Sequence, residues 1–147
     1  PSTLERLVKP PVGKFTPGPS GGLISSAQDM GMFYQMLLNG GELDGKIIIS
    51  ETSAKKIRQS QTGENKAGFV PGSAWGLGFG LVQQPEGVSA MLNKGSFGHG
   101  GAFGTQGWVD PITETVYVLM IQRTKFGNSD ASDIRRGFQQ AVADGIK

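Results

Sequence analysis

The sequence has 147 residues, no cysteine and one histidine, and its 14 basic and 12 acidic side chains leave a net charge of +2. Without cysteine there is no disulfide framework and no thiolate nucleophile, and the nearly balanced charge indicates no nucleic-acid or membrane surface. Glycine is over-represented, at 24 residues or about 16% against a usual value of about 7%. Because 37% of the residues are apolar, we expect a folded domain and not a disordered chain.

Residues 1–22 contain five prolines and four glycines, which fix φ repeatedly and remove backbone donors. We therefore predict a Pro/Gly-rich arm over residues 1–22 and a single α+β domain over residues 23–147. The start at Pro1, without Met or a signal peptide, suggests a processed or truncated product. No apolar run reaches the ~18 residues that a membrane span needs.

Two helices are predicted in the first half of the domain. Ser26 to Asp29 is a capping-box-like start, and Gly40 and Gly41 supply a left-handed stop. Between them, apolar residues recur at helical spacing and predict one buried face: Met30, Phe33, Tyr34, Leu37 and Leu38. Asp44 and Gly45 predict a turn into a short strand at 47–49, after which Ser50 caps a second helix over about 51–60.

The second half of the domain predicts strands and a final helix. From Trp75 to Leu81, bulky residues alternate with glycines, which predicts a strand with one bare face lying against another backbone, a helix or a ligand. Strands at about 105–110 and 115–122, joined by a turn at Asp110, are expected to pair antiparallel. A C-terminal helix over 129–146 is predicted to bury a stripe of four residues: Ile134, Phe138, Ala141 and Val142. The fold class is therefore α+β, an antiparallel β-sheet packed with helices.

Three short motifs could in principle carry chemistry. Gly18 to Gly22 matches the Gly-x-Ser-x-Gly nucleophile elbow around Ser20, but no strand signal precedes it and the next helix begins several residues late, so we interpret it as a turn. Ser53 to Lys56 matches Ser-x-x-Lys, a pattern that chance alone supplies, and we interpret it as part of an exposed helix. No phosphate-binding loop is complete, and we predict no metal and no cofactor.

The glycine-rich segment from Gly98 to Gly104 surrounds the single histidine, His99. A strand edge made of glycines lets a substrate carbonyl approach the main chain, where a backbone N–H can stabilise a developing oxyanion. A histidine beside it could donate a hydrogen bond or hold a carboxylate. The alternative is a glycine-rich β-bulge with a solvent-facing histidine.

The order of motifs resembles the C-terminal half of the serine β-lactamase-like superfamily, which holds class C β-lactamases, penicillin-binding proteins, D-alanyl-D-alanine carboxypeptidases and related esterases. The resemblance covers the chain from about Gly21 to the end. It rests on four segments, which are residues 21–30, 37–46, 75–81 and the pair formed by 98–101 with 110–111.

By this resemblance, His99-Gly100-Gly101 corresponds to the family's third motif, Lys-Thr-Gly or His-Gly-Gly, on a strand that lines the active-site cleft. The resemblance implies catalytic roles for His99, Gly100, Gly101 and the N–H of Ala102, an oxyanion donor, and substrate binding by Phe103 and Trp75. It also implies a C-terminal β-lactamase/transpeptidase-like portion whose last helix packs across the sheet. Family habit favours a periplasmic or extracellular location.

The nucleophile motif of this family, Ser-x-x-Lys, lies upstream of everything that resembles this chain. We therefore expect a C-terminal part of a Ser-x-x-Lys acyl hydrolase, inactive alone, whose partners are the N-terminal half and a small-molecule or peptide substrate such as a β-lactam, a D-Ala peptide or an ester. The alternative is a non-catalytic binding module derived from the same fold. Self-association is expected where the absent half would pack.

Overall fold

The computed structural model of the chain describes residues 24–63, 65, 70–123 and 129–146. In these residues the helices are α1 (Ala27–Leu38), α2 (Glu51–Ile57) and α3 (Asp133–Gly145), with two short 3-10 turns at Gly87–Ser89 and Ser129–Ala131. The strands are β1 (Glu42–Leu43), β2 (Lys46–Ile47), β3 (Ser73–Trp75), β4 (Gly80–Val82), β5 (Phe97–Gly100), β6 (Gln106–Asp110) and β7 (Thr115–Leu119). The α+β class is confirmed. The predicted arm over residues 1–22 lies outside the described residues.

Helix α1 begins and ends where the sequence predicts. The Ser26 hydroxyl oxygen accepts the Asp29 N–H at 3.1 Å and the hydroxyl donates to the Asp29 carboxylate at 2.8 Å. After the helix, Gly40 and Gly41 adopt φ values of +74° and +106°. One part of the predicted buried face is wrong, because Phe33 is 40% exposed. Tyr34 and Leu37 are buried against the sheet as predicted, and Met36, which was not predicted, is buried with them.

The segment after α1 is a two-stranded hairpin leading into α2. Asp44 and Gly45 form its turn with φ values of +49° and +74°. The predicted strand at 47–49 is wrong beyond Ile47, because the backbone N–H groups of residues 48 and 49 both donate to the Gly41 carbonyl, at 2.9 and 3.2 Å. The Ser50 cap is confirmed, since its hydroxyl oxygen accepts the Ser53 N–H at 3.1 Å, although α2 ends at Ile57.

The other five strands form one antiparallel sheet in the order β3-β4-β5-β6-β7. The predicted single strand from Trp75 to Leu81 is wrong: Trp75 pairs with Gly80, so these residues form the β3–β4 hairpin. Gly76 N–H donates to the Phe79 carbonyl at 2.8 Å and Gly78 adopts a φ of +84°. The expected close backbone is present at Gly76, where a Cβ would collide with the Ile57 carbonyl oxygen.

The two faces of the sheet are covered by different helices. One face packs against α1 and forms a buried apolar cluster that includes Leu37, Leu81, Phe97 and Val109. The opposite face packs against α3, where Trp108 and Tyr117 contact Phe138 and Val142. The antiparallel pairing of β6 and β7 and the packing of the last helix on the sheet are thus both confirmed.

The buried stripe predicted for α3 needs correction. Ala141 is exposed, whereas Arg135 and Gln139 are fully buried. The reason is a contact between distant parts of the chain, because the Arg135 guanidinium lies 3.8 Å from the centroid of the Trp108 ring. Burial lowers the pKa of Arg135 to about 10, opposed by the charge of Asp130.

Candidate functional site

Strand β5 carries His99 at the end of a regular antiparallel ladder. Its pairing with β6 runs without interruption from Phe97 opposite Val109 to Gly100 opposite Gln106. The β-bulge alternative is therefore wrong at this point, although His99 does face solvent. On its other side, β5 pairs with β4 only at Phe97 and Gly98. From His99 onward, this edge of β5 has no strand neighbour among the described residues.

A tight turn follows β5 and positions Ala102. Gly104 N–H donates to the Gly101 carbonyl at 3.0 Å, and Gly101 N–H donates to the Thr105 carbonyl at 2.8 Å. Ala102 therefore lies at the second position of a four-residue turn, where it is exposed. No acceptor within the described part of the chain takes the Ala102 N–H. This N–H is available to a ligand.

The His99 ring contacts its own strand and one neighbouring ring. Nδ1 lies 2.5 Å from the Gly100 carbonyl oxygen, so in the neutral ring Nδ1–H donates there and Nε2 is left as an acceptor. The centroid of the Trp75 ring lies 5.1 Å away, at an interplanar angle of 52°. The structure thus brings together two residues for which the resemblance implied site roles.

A groove of about 590 Å³ opens beside His99. The turn between β5 and β6, the N-terminal half of α1 and the segment that follows β7 form its walls, and Phe103 and Gln106 contribute to the lining. Phe103 is 54% exposed. The described lining residues include no Lys, Arg, Asp or Glu. The groove is therefore mainly apolar, with a few neutral polar groups.

Two groove residues were missed by the sequence interpretation. Tyr34, assigned only to the helix core, lies against Gly107, at the place where a side chain of residue 107 would be. Burial raises the pKa of its phenol, and the charge of Asp130 raises it further. Gln106 is buried and its amide oxygen accepts the Trp108 indole N–H at 2.9 Å. A tyrosine on an apolar helix face was the available signal, since a buried phenol normally needs a partner.

The Ser-x-x-Lys match on α2 does not line the groove. Ser53 and Lys56 are exposed on α2, where the Ser50 hydroxyl donates to the Ser53 oxygen at 2.9 Å, as expected for a solvent-facing helix. The Gly18 to Gly22 motif lies outside the described residues. Within the described ranges no three metal-ligating side chains cluster. None of the helices described has the length and apolar character that crossing a membrane requires.

Comparison with known families identifies the class of protein. The model of the family named Beta-lactamase matches residues 2–142, so the chain belongs to the beta-lactamase family. The superfamily resemblance found in the sequence is confirmed.

Two curated relatives come from Mycobacterium tuberculosis. They are the uncharacterized protein MT1414 of strain CDC 1551 / Oshkosh and Protein Rv1367c of strain ATCC 25618 / H37Rv. Each is 31% identical over 122 residues, which is 76% of this chain and 30% of the relative. The chain therefore spans about a third of the length of these relatives.

Two solved structures share the fold. EstCE1, described as a hydrolase with promiscuous acyltransferase activity, gives a TM-score of 0.61 at 19% identity, over 83% of this chain and 29% of that protein. A Bacillus anthracis protein assigned as a 6-aminohexanoate-dimer hydrolase gives a TM-score of 0.53 at 25% identity, over 83% of this chain and 28% of that protein. The chain has the fold of one part of such hydrolases.

Proposed function

We propose that this chain forms the oxyanion-stabilising side of the active site of a serine acyl hydrolase, whose nucleophile is supplied by sequence outside these 147 residues. The observation that carries the proposal is the open edge of β5 from His99 onward, followed by an Ala102 N–H without an acceptor among the described residues. Its substrates are esters, D-alanyl peptides or β-lactams. The family match and the hydrolase fold neighbours support this class.

In this proposal the substrate carbonyl lies beside β5. The Ala102 N–H donates to the carbonyl oxygen, and its hydrogen bond strengthens as a serine oxygen adds to the carbonyl carbon and negative charge collects on that oxygen. The C–O or C–N bond then breaks, the leaving group takes a proton, and water hydrolyses the acyl-enzyme. Gly100 and Gly101 have no side chains, so the substrate can approach this backbone closely.

His99 would act beside this donor. With Nδ1–H on the Gly100 carbonyl, its Nε2 is left to interact with the substrate or with a catalytic group from the remaining sequence. Trp75, whose ring contacts His99, and Phe103, which lines the groove, would then contact the substrate. In this proposal residues 23–147 act as one domain.

The chain alone is expected to lack turnover. Ser25 is the single serine that lines the groove within the described residues, and the residue three positions on is Gln28, which offers no amine as a base. The Ser53 motif lies exposed on α2. These observations also favour the second candidate, a non-catalytic binding module.

Self-association of the chain stays a prediction. It is supported by two exposed apolar side chains, Ile24 and Ile47, which are 83% and 80% exposed.

The test uses the protein extended by the sequence that precedes residue 1 in its natural reading frame. Ala102→Pro removes the proposed donor, and proline suits the second position of the turn from Gly101 to Gly104. We expect a loss of about 10²–10³ in kcat for p-nitrophenyl butyrate, because one oxyanion hydrogen bond is lost. Ala102→Ser keeps the N–H and should retain activity.

The extended protein should also form an acyl-enzyme visible as a mass increase. If the natural reading frame begins beside residue 1, or the extended protein forms no acyl-enzyme with any of the three substrate classes, the binding-module alternative replaces the hydrolase. Equal kcat values for the proline and serine variants would remove Ala102 from the oxyanion site.

A further inference from the structure

The Tyr34 side chain is a buried polar group that the proposed reaction does not use. It is only 3% exposed, yet it lines the groove beside His99. Its hydroxyl has no hydrogen-bond partner among the residues that the structure describes. Buried phenols normally have a partner. The Tyr34 hydroxyl is therefore a donor still open to a ligand.

The register of the sheet fixes where this hydroxyl lies. The Tyr34 ring and oxygen stand next to the Cβ position that Gly107 lacks, and Gly107 is directly opposite His99. Residues paired in this way have Cβ positions about 4.5–5.5 Å apart on the same face. The Tyr34 oxygen therefore lies within roughly 8 Å of the His99 Cβ, on the same face of the sheet.

The surroundings of the hydroxyl indicate the chemistry of the ligand. Met30, Phe103 and Val118 contribute apolar walls to the groove, and its described lining residues include no Lys, Arg, Asp or Glu. A ligand carboxylate would lose hydration in such a site without gaining a fixed counter-charge. An aliphatic chain would instead bury apolar area there.

We propose that Tyr34 is a substrate-binding residue, and that the groove binds uncharged aliphatic esters and amides, with the Tyr34 O–H donating to an oxygen of the ligand's acyl group. This inference rests on the proposed function for the assignment of the groove as the substrate site, and it narrows the substrate class. Burial keeps the phenol protonated and able to donate at neutral pH.

The chain offers a matched control, because it contains two tyrosines. Tyr117 is also buried, but it packs against α3 on the opposite face of the sheet. Burial raises the pKa of its phenol, and the charge of Asp110 raises it further. Phenylalanine at position 117 therefore removes a tyrosine hydroxyl from the face of the sheet opposite Tyr34.

The experiment titrates the ¹⁵N-labelled 147-residue chain with hexanamide and measures Kd from the NMR shifts of residues 99, 103 and 107. We expect Tyr34→Phe to weaken binding about 3- to 10-fold, the usual range for one net hydrogen bond. Tyr117→Phe should leave Kd unchanged. Hexanoate should bind the wild-type chain at least about 10-fold more weakly than hexanamide, because the described lining of the groove includes no Lys or Arg.

Several outcomes would overturn the proposal. They are an absence of shifts at the groove residues, equal Kd values for Tyr34→Phe and the wild type, or hexanoate binding as tightly as hexanamide. A thermal midpoint lowered by several degrees in Tyr34→Phe would also overturn it, since the hydroxyl would then have a structural role. Failure of the proposed function is separate: the chain would bind hexanamide while the extended protein forms no acyl-enzyme.

Discussion

The two faces of the five-stranded sheet differ in the hydrogen bonding of one buried polar side chain each, Arg135 and Tyr34. On the face covered by α3, Arg135 donates to the Gln139 side chain at 3.1 Å, to the Asp130 carbonyl at 2.6 Å and to the Ser89 hydroxyl at 2.9 Å. On the face covered by α1, Tyr34 reaches a groove with its hydroxyl unpaired among the described residues. The Arg135 guanidinium is thus hydrogen-bonded within the protein, although the Gln139 amide nitrogen beside it has no partner among the described residues, whereas the Tyr34 hydroxyl borders an open groove.

This difference coincides with where the sheet is closed. The Arg135 cluster lies beneath Trp108 in the middle of β6, where strands pair on both sides. The groove lies where β5 has lost its β4 partner and the chain turns at Gly101. The Arg135 guanidinium is therefore enclosed by the protein, whereas the Tyr34 hydroxyl borders open space.

The largest expected effect is a loss of stability on the face of the sheet that α3 covers. Arg135→Ala leaves three acceptors without their donor and removes the stacking on Trp108, so we expect a loss of about 3 kcal/mol or more in the free energy of unfolding. Urea denaturation of the chain measures it. Arg136→Ala, on the exposed side of the same helix, should change stability by less than about 0.5 kcal/mol. Equal losses would mean that the cluster is not cohesive.

A second pair of variants compares the two faces directly. A Cβ at Gly98 would collide with the Gly107 carbonyl and the Trp108 backbone, whereas a Cβ at Gly107 would meet the Tyr34 ring, a side chain beside open space. We expect Gly98→Ala to lose about 1–3 kcal/mol in thermal or urea unfolding and Gly107→Ala to lose less.

The control for these variants is Gly137→Ala. This position faces open space on α3, and alanine there should raise stability by about 0.5–1 kcal/mol. If Gly107→Ala proves as damaging as Gly98→Ala, the Tyr34 side of the sheet is packed as tightly as the Arg135 side.

The smallest expected effect concerns alkaline pH. Burial raises the folded-state pKa of Tyr34 above its usual value of about 10, so below pH 10 its ionisation has little effect on stability, and above pH 10 ionisation of the unfolded chain destabilises the fold. At pH 11 the unfolded phenol is mostly ionised, and the wild type should lose about 1 kcal/mol relative to pH 9 that Tyr34→Phe does not lose. Arg135, whose pKa is lowered to about 10, also affects stability between pH 9 and pH 11. Because the wild type and Tyr34→Phe both contain Arg135, its effect cancels from the difference between them. Identical pH dependence would place the Tyr34 hydroxyl in contact with solvent.

Local patterns sufficed for much of the fold. The Ser26 and Ser50 caps and the apolar spacing of α1 act over a few residues, so the sequence predicted both helix starts. Alternation between Trp75 and Leu81 was misleading, because a four-residue turn at Gly78 preserves the period of two while reversing the chain. Only the cross-strand pairing, such as that of Trp75 with Gly80, distinguishes this hairpin from a single strand.

The residues of the candidate site were likewise predictable only in part. His99 and Phe103 were predictable because the glycine-rich segment and the order of motifs indicated them, and both line the groove. Tyr34 and Arg135 were not, since each owes its position to a residue more than 25 positions away in sequence, Gly107 and Trp108. Spacing on one helix shows which residues share a face, but not which ring or strand that face meets.

The contact between Tyr34 and Gly107 also determines how this groove could be redesigned. At Gly107 the floor of the groove is backbone that carries no side chain to trim, so at this point the groove can be enlarged only from α1, which lies across it. A smaller residue at position 34 would lengthen the cavity toward the sheet while leaving the strand that carries His99 intact. Acceptance of longer acyl chains would then depend on one helical position instead of on the glycines.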